Sequence, residues 1–75
     1  MEKALLATLE SAYNNAELWL RMWQKHKDSP ARRNALFGIG RFDGAWKMYR
    51  STGFQTPQYI KDAAERYELM FDELL

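Results

Sequence analysis

Two turn signatures divide the 75-residue chain into three segments, and this division constrains the fold more than any other feature. Ser29-Pro30 and Thr56-Pro57 each join a residue that favours the N-cap position to a proline suited to the first turn of a helix. A proline also disfavours helical backbone in the residue before it, so each pair marks the end of the preceding segment. The helices are expected at about residues 2–27, 30–51 and 57–73.

Each segment carries a stripe of apolar residues at helical spacing, and no alternating strand pattern or internal repeat competes with it. The predicted fold is all-α, a three-helix antiparallel bundle that forms a single domain over residues 1–75. So short a chain buries only a small core, and without cysteine it depends on packing or on association between copies. The expected core positions are Leu5, Leu9, Ala12, Tyr13, Ala16, Trp19, Leu20 and Trp23, then Ala35, Ile39, Phe42, Trp46 and Tyr49, then Ile60, Ala63, Ala64, Tyr67, Met70, Phe71 and Leu74.

The second helix has apolar or small residues on two opposite faces. Phe37, Gly40, Gly44 and Met48 fall nearly opposite its core stripe. Because an interior glycine costs about 0.5 to 1 kcal/mol relative to alanine, two glycines four residues apart predict a groove where another helix approaches closely. Two alternatives stay open, namely a kink or break near Gly38 to Gly40 and a core wide enough to enclose both faces.

Other apolar residues also lie off the core stripes. Leu18 in the first helix and Leu69 in the third are examples, and Arg41 lies beside the two glycines. Aromatic residues, Met and Arg are enriched at protein interfaces. The sequence therefore predicts a surface for a partner or for self-association, formed by Phe37, Gly40, Arg41, Gly44, Met48 and Leu18.

Charge is distributed unevenly, although the formal net charge is only +1. Between residues 29 and 53 there are five basic residues and a single acidic one, Asp43, whereas the last third of the chain is acidic. This pattern indicates helices of opposite sign lying side by side, or a face that binds a basic partner. An alternative function is nucleic-acid binding through Lys25, Lys27, Arg32, Arg33, Lys47 and Arg50, although the modest charge and the lack of a helix-turn-helix pattern argue against it.

No residue pattern indicates catalysis, a cofactor or a metal. His26 is the only histidine and lies between two lysines at the expected end of the first helix, where a cation complements the helix dipole. The sequence contains no nucleophile elbow, zinc motif or phosphate loop. Glu65, Glu68 and Asp72 share one side of the third helix, where a solvated face is the simplest interpretation.

These observations favour a small non-enzymatic protein–protein interaction module, an adaptor or inhibitor-like regulator of a larger macromolecular machine. We expect it to form a homodimer and to bind a protein partner that the sequence does not identify. The first ten residues, MEKALLATLE, have neither a signal-peptide pattern nor a long apolar run, so no membrane association and a cytoplasmic location are expected. Salt dependence separates this hypothesis from the nucleic-acid alternative, because phosphate contacts weaken steeply as salt is added.

Overall fold

Three α-helices make up the fold in the computed structural model, which describes residues 2–75. They are α1 (Glu2–His26), α2 (Ser29–Ser51) and α3 (Gln58–Leu74). None of the described residues lies in a strand, so the all-α prediction is confirmed. Each predicted helix boundary also lies within one residue of the observed one.

The first turn is built differently from the predicted Ser29-Pro30 cap. Lys27, the residue directly after α1, has a positive φ of 54°. Asp28 is the N-cap of α2. The Asp28 carboxylate accepts a 2.9 Å hydrogen bond from the backbone N–H of Ala31. Ser29 is already helical, so its prediction as the cap is wrong by one residue, while Pro30 does occupy the first turn.

The second turn also lacks its predicted side-chain cap. Gly53 follows the end of α2 with a φ of 84°, as expected of a residue that tolerates the left-handed region. Thr56 is buried and makes no cap hydrogen bond to α3. Pro57 takes the N-cap position, so the prediction of Thr56 as the cap is wrong. Because the proline ring has no acceptor, α3 begins without a side-chain cap.

Helices α1 and α2 pack closely and run antiparallel. The Tyr13 and Phe42 ring centroids are 6.5 Å apart. Three residues later on α1, the backbone of Ala16 lies against Gly38, four residues earlier on α2. Contacts that ascend one helix thus descend the other, as the short turn predicts.

Helix α3 completes the bundle by contacting both other helices. The Tyr67 ring meets Phe42 edge-on at 5.0 Å between centroids. The phenol of Tyr59 donates a hydrogen bond to Glu10 at 2.5 Å, and that of Tyr67 donates to Glu17 at 2.8 Å. Because both of these pairs ascend together, α3 runs parallel to α1 and antiparallel to α2.

The core lies along the axis shared by the three helices and matches the predicted stripes. Larger side chains at the stripe edges, including Trp19, Trp23 and Trp46, are only partly buried and pack against this core. Trp46 was expected to be a core residue, and its burial is less complete than that of its neighbour Phe42. The buried apolar residues are Leu9, Ala12, Ala16, Leu20, Ala31, Ala35, Ile39, Phe42, Tyr49, Ile60, Ala63, Tyr67 and Leu74.

Within the described residues, α1 approaches α2 closely at Gly38 and not at Gly40 or Gly44. A Cβ placed on Gly38 would lie 3.1 Å from the Cα of Ala16, whereas a Cβ on Gly40 or Gly44 would meet nothing within 4 Å. Helix α2 continues through all three glycines, so the alternative of a broken helix is wrong. Gly38 thus sets the spacing between α1 and α2, and the other two glycines are open to solvent.

Replacing Gly38 with leucine should destabilise the fold. The new side chain would have to enter the space held by the α1 backbone, and overpacking of this kind costs about 1 to 3 kcal/mol. Gly40→Leu is the matched control, because its side chain projects into open space. Urea denaturation of dilute protein should show a lower midpoint for Gly38→Leu alone. Equal midpoints for the two variants would contradict the close contact at Gly38.

A second prediction concerns Tyr67, which is buried beside Glu17. Burial raises the pKa of its phenol from 10.0 to about 12, because the charged phenolate is poorly solvated there. A raised pKa in the folded state means that the neutral phenol contributes stability below about pH 10, and this contribution is lost as the pH rises through about 12. The wild-type advantage over Tyr67→Phe in unfolding free energy should therefore shrink over that interval. Parallel pH profiles for the two proteins would contradict this assignment.

Candidate interaction surfaces

The face of α2 opposite the core forms an exposed stripe. Five residues fall on this side of the helix at helical spacing, namely Phe37, Gly40, Arg41, Gly44 and Met48. We call them the outer stripe. Phe37 is 70% exposed and Met48 is 61% exposed, and the other three members, Gly40, Arg41 and Gly44, are also exposed. The described helices therefore do not enclose this face, and the alternative of a wider core is wrong.

The outer stripe places two glycines between two large apolar side chains. Phe37 and Met48 are separated by about 16 Å along the helix axis at 1.5 Å per residue. Between them, Gly40 and Gly44 leave the α2 backbone without side-chain cover. Leu18, which was predicted to join this surface, is half exposed on α1.

Two of the predicted anion-binding residues have partners at the ends of helices. The Arg32 guanidinium donates a 2.8 Å hydrogen bond to the backbone carbonyl of Leu74, at the end of α3. The ammonium of Lys27 lies 4.9 Å from the centroid of the Trp23 ring. Both cations therefore stabilise groups within the chain.

Two more predicted anion-binding residues have partners within α2. Lys47 forms a 2.9 Å ion pair with Asp43, one turn earlier. The Arg50 guanidinium lies over the Trp46 ring, 4.2 Å from its centroid. Four of the six basic residues considered for nucleic-acid binding thus contact other groups of the chain.

Arg32 and Arg33 are adjacent, which allows a matched test of these roles. Arg32→Ala removes a charged donor from the carbonyl end of α3 and should lower the unfolding free energy by about 0.5 to 1.5 kcal/mol. Arg33→Ala should change it by less than about 0.5 kcal/mol, because the Arg33 side chain is exposed and makes no hydrogen bond or ion pair among residues 2–75. Thermal denaturation of both variants checks this difference. A loss of equal size at the two positions would contradict a structural role specific to Arg32.

Sequence reasoning missed a second surface, a groove between α2 and α3 with a volume of about 490 Å³. Apolar side chains from both helices form its walls, and charged side chains from both form its rim. We call it the α2–α3 groove. Its walls are Ile39, Phe42, Trp46, Ala64, Tyr67 and Phe71, and its rim is Gly40, Asp43, Lys47, Glu68 and Asp72.

The rim of the α2–α3 groove is acidic. Lys47 is paired with Asp43, which leaves Glu68 and Asp72 on the α3 side. Both carboxylates are exposed, and neither belongs to an ion pair formed among residues 2–75. The prediction that they are solvated is correct, but their position beside aromatic walls was not visible in the helical pattern of α3 alone.

One wall residue carries an unsatisfied polar group. The indole Nε1 of Trp46 is buried and has no hydrogen-bond partner among the described residues. A buried donor left without an acceptor costs about 1 to 3 kcal/mol. Among residues 2–75, this indole nitrogen is thus the one buried side-chain polar atom that lacks a hydrogen bond.

Residues 2–75 contain no group of three or more histidine, aspartate or glutamate side chains placed to hold a metal ion. Within the same residues, no helix combines the length and apolar character required to cross a bilayer. No protein-family model, curated protein or solved structure matches the chain.

Proposed function

We propose that this protein is a small non-enzymatic protein–protein interaction module that self-associates through the outer stripe of α2. The observation that supports this proposal most directly is the exposure of Phe37 and Met48 on either side of two uncovered glycines. Contiguous exposed apolar surface on one face is typical of an interaction site. An adaptor or inhibitor-like role in a larger assembly follows from such a surface on so small a domain.

Self-association is favoured by the arrangement of the outer stripe about its centre. Phe37 and Met48 lie at nearly equal distances on either side of the pair Gly40 and Gly44. When two copies of α2 pack antiparallel about a two-fold axis, the Phe of each copy meets the Met of the other. Sulfur and aromatic rings attract one another, and the glycines let the two backbones approach.

The nucleic-acid alternative has less support. Lys27, Arg32, Lys47 and Arg50 each contact another group of the chain, and forming phosphate contacts would require these interactions to be replaced. Among residues 2–75, no enclosed site or catalytic group favours an enzyme. The identity of the protein partner and the cytoplasmic location stay predictions.

The self-association proposal is tested by measuring solution mass over a range of protein concentrations. Light scattering should show a dimer, and its dissociation constant should change little between low and high salt because the buried contacts are apolar. Phe37→Asp should give a monomer that retains the wild-type helical content, since it places a charge in the interface. Gly44→Leu should also weaken the dimer by blocking close approach.

Leu69→Asp is the control, because Leu69 is as exposed as Phe37, at 72%, but lies on α3. This variant should keep the wild-type mass. A monomeric wild type at all concentrations would refute self-association. A dimer that Leu69→Asp disrupts and Phe37→Asp does not would refute the outer stripe as its site.

A further inference from the structure

We propose that the α2–α3 groove binds a short segment of a partner protein that carries apolar side chains flanked by lysine or arginine. This inference builds on the proposed role as an interaction module, but it uses a surface separate from Phe37 and Met48. Three observations carry it, namely the aromatic walls, the acidic rim and the way in which the chain already uses one of the wall rings.

The walls suit apolar side chains of a peptide. Trp46 and Phe71 are partly buried and bring two accessible aromatic rings to the groove, over the buried rings of Phe42 and Tyr67. Its volume of about 490 Å³ lies within the range of about 300 to 1,000 Å³ that is common for binding sites. Along α2 the groove spans residues 39–47, about 12 Å at 1.5 Å per residue, so it fits a few residues of a peptide.

The rim selects the charge of the occupant. Asp43 and Lys47 neutralise one another, so Glu68 and Asp72 give the groove a net negative charge. Opposite charge steers a basic segment toward this site, and like charge repels an acidic peptide or a nucleic-acid backbone. The occupant is therefore cationic as well as apolar.

The chain itself shows that a wall ring accepts a guanidinium. Arg50 lies over Trp46 at 4.2 Å from the ring centroid, a distance typical of a cation–π contact. An arginine of a bound segment can make the same kind of contact with another ring of the groove while pairing with Glu68 or Asp72. One basic side chain thereby satisfies both the walls and the rim.

The test is a selection from phage-displayed random peptides of about 12 residues, roughly three helical turns, against immobilised wild-type protein. The selected peptides should be enriched in lysine and arginine next to leucine or aromatic residues. Fluorescence anisotropy then measures the affinity of a labelled selected peptide for wild-type and variant proteins. Selection of acidic peptides, or of none, would overturn the proposal.

Charge reversal of the rim provides the matched comparison. Glu68→Lys combined with Asp72→Lys should weaken binding of the selected peptide at least about tenfold, equivalent to about 1.4 kcal/mol. Glu65→Lys combined with Glu73→Lys makes the same change of charge on the same helix outside the groove. It should change affinity less than about twofold, equivalent to about 0.4 kcal/mol. All four positions are exposed, so circular dichroism should show wild-type helical content in both double variants.

Further outcomes separate this inference from the self-association proposal. Phe37→Asp should bind the selected peptide as the wild type does, whether or not it dimerises. If both double variants weaken peptide binding equally, net charge alone explains the effect, and the proposal that the peptide binds in the groove is overturned. Loss of the dimer, rather than of peptide binding, in Glu68→Lys/Asp72→Lys would assign the groove to a second copy and also overturn the proposal.

Discussion

The close contact between Gly38 and the backbone of Ala16 is the constraint on which the rest of the structure depends. A Cβ at Gly38 would lie 3.1 Å from the Cα of Ala16, so any side chain there requires α1 and α2 to shift apart. At that distance α1 covers the side of α2 on which Gly38 lies, and Phe42 and Ile39 face the interior. Helix α3 covers the adjoining side of α2 through the contact of Tyr67 with Phe42. The outer stripe, on the side opposite the core, is then covered by neither α1 nor α3.

The three interior glycines of α2 have different energetic consequences. Each lowers helix stability by about 0.5 to 1 kcal/mol relative to alanine. At Gly38 the packing with α1 offsets this cost, because a larger residue would force the two helices apart. Among the described residues, no contact offsets it at Gly40 or Gly44. An external contact that requires a bare backbone would supply the missing compensation, which is the energetic argument for an interface on this face.

Helical periodicity and the two prolines were sufficient to predict the helices and most of the core. They could not decide between Asp28 and Ser29 as the cap, because both side chains accept hydrogen bonds and the choice depends on a one-residue shift. Nor could they choose Gly38 over Gly40 as the contact with α1. The apolar stripe marks the centre of the buried face, whereas α1 lies toward one edge of it. The α2–α3 groove depends on the positions of two helices together, so the pattern of either helix alone does not reveal it.

Opposite charges on neighbouring helices do not neutralise one another here as the sequence suggests they could. Three of the five basic side chains of α2, those of Arg32, Arg50 and Lys47, contact a carbonyl, an aromatic ring and the single acidic residue of α2 respectively. Of the ion pairs among residues 2–75, the one that involves α3 joins Arg66 to Glu17 of α1. Glu68 and Asp72 consequently keep their charge at the groove, while the outer stripe is mainly apolar. Binding at the groove should therefore weaken as salt screens the carboxylates, whereas association through the outer stripe should respond little, so salt dependence distinguishes the two surfaces.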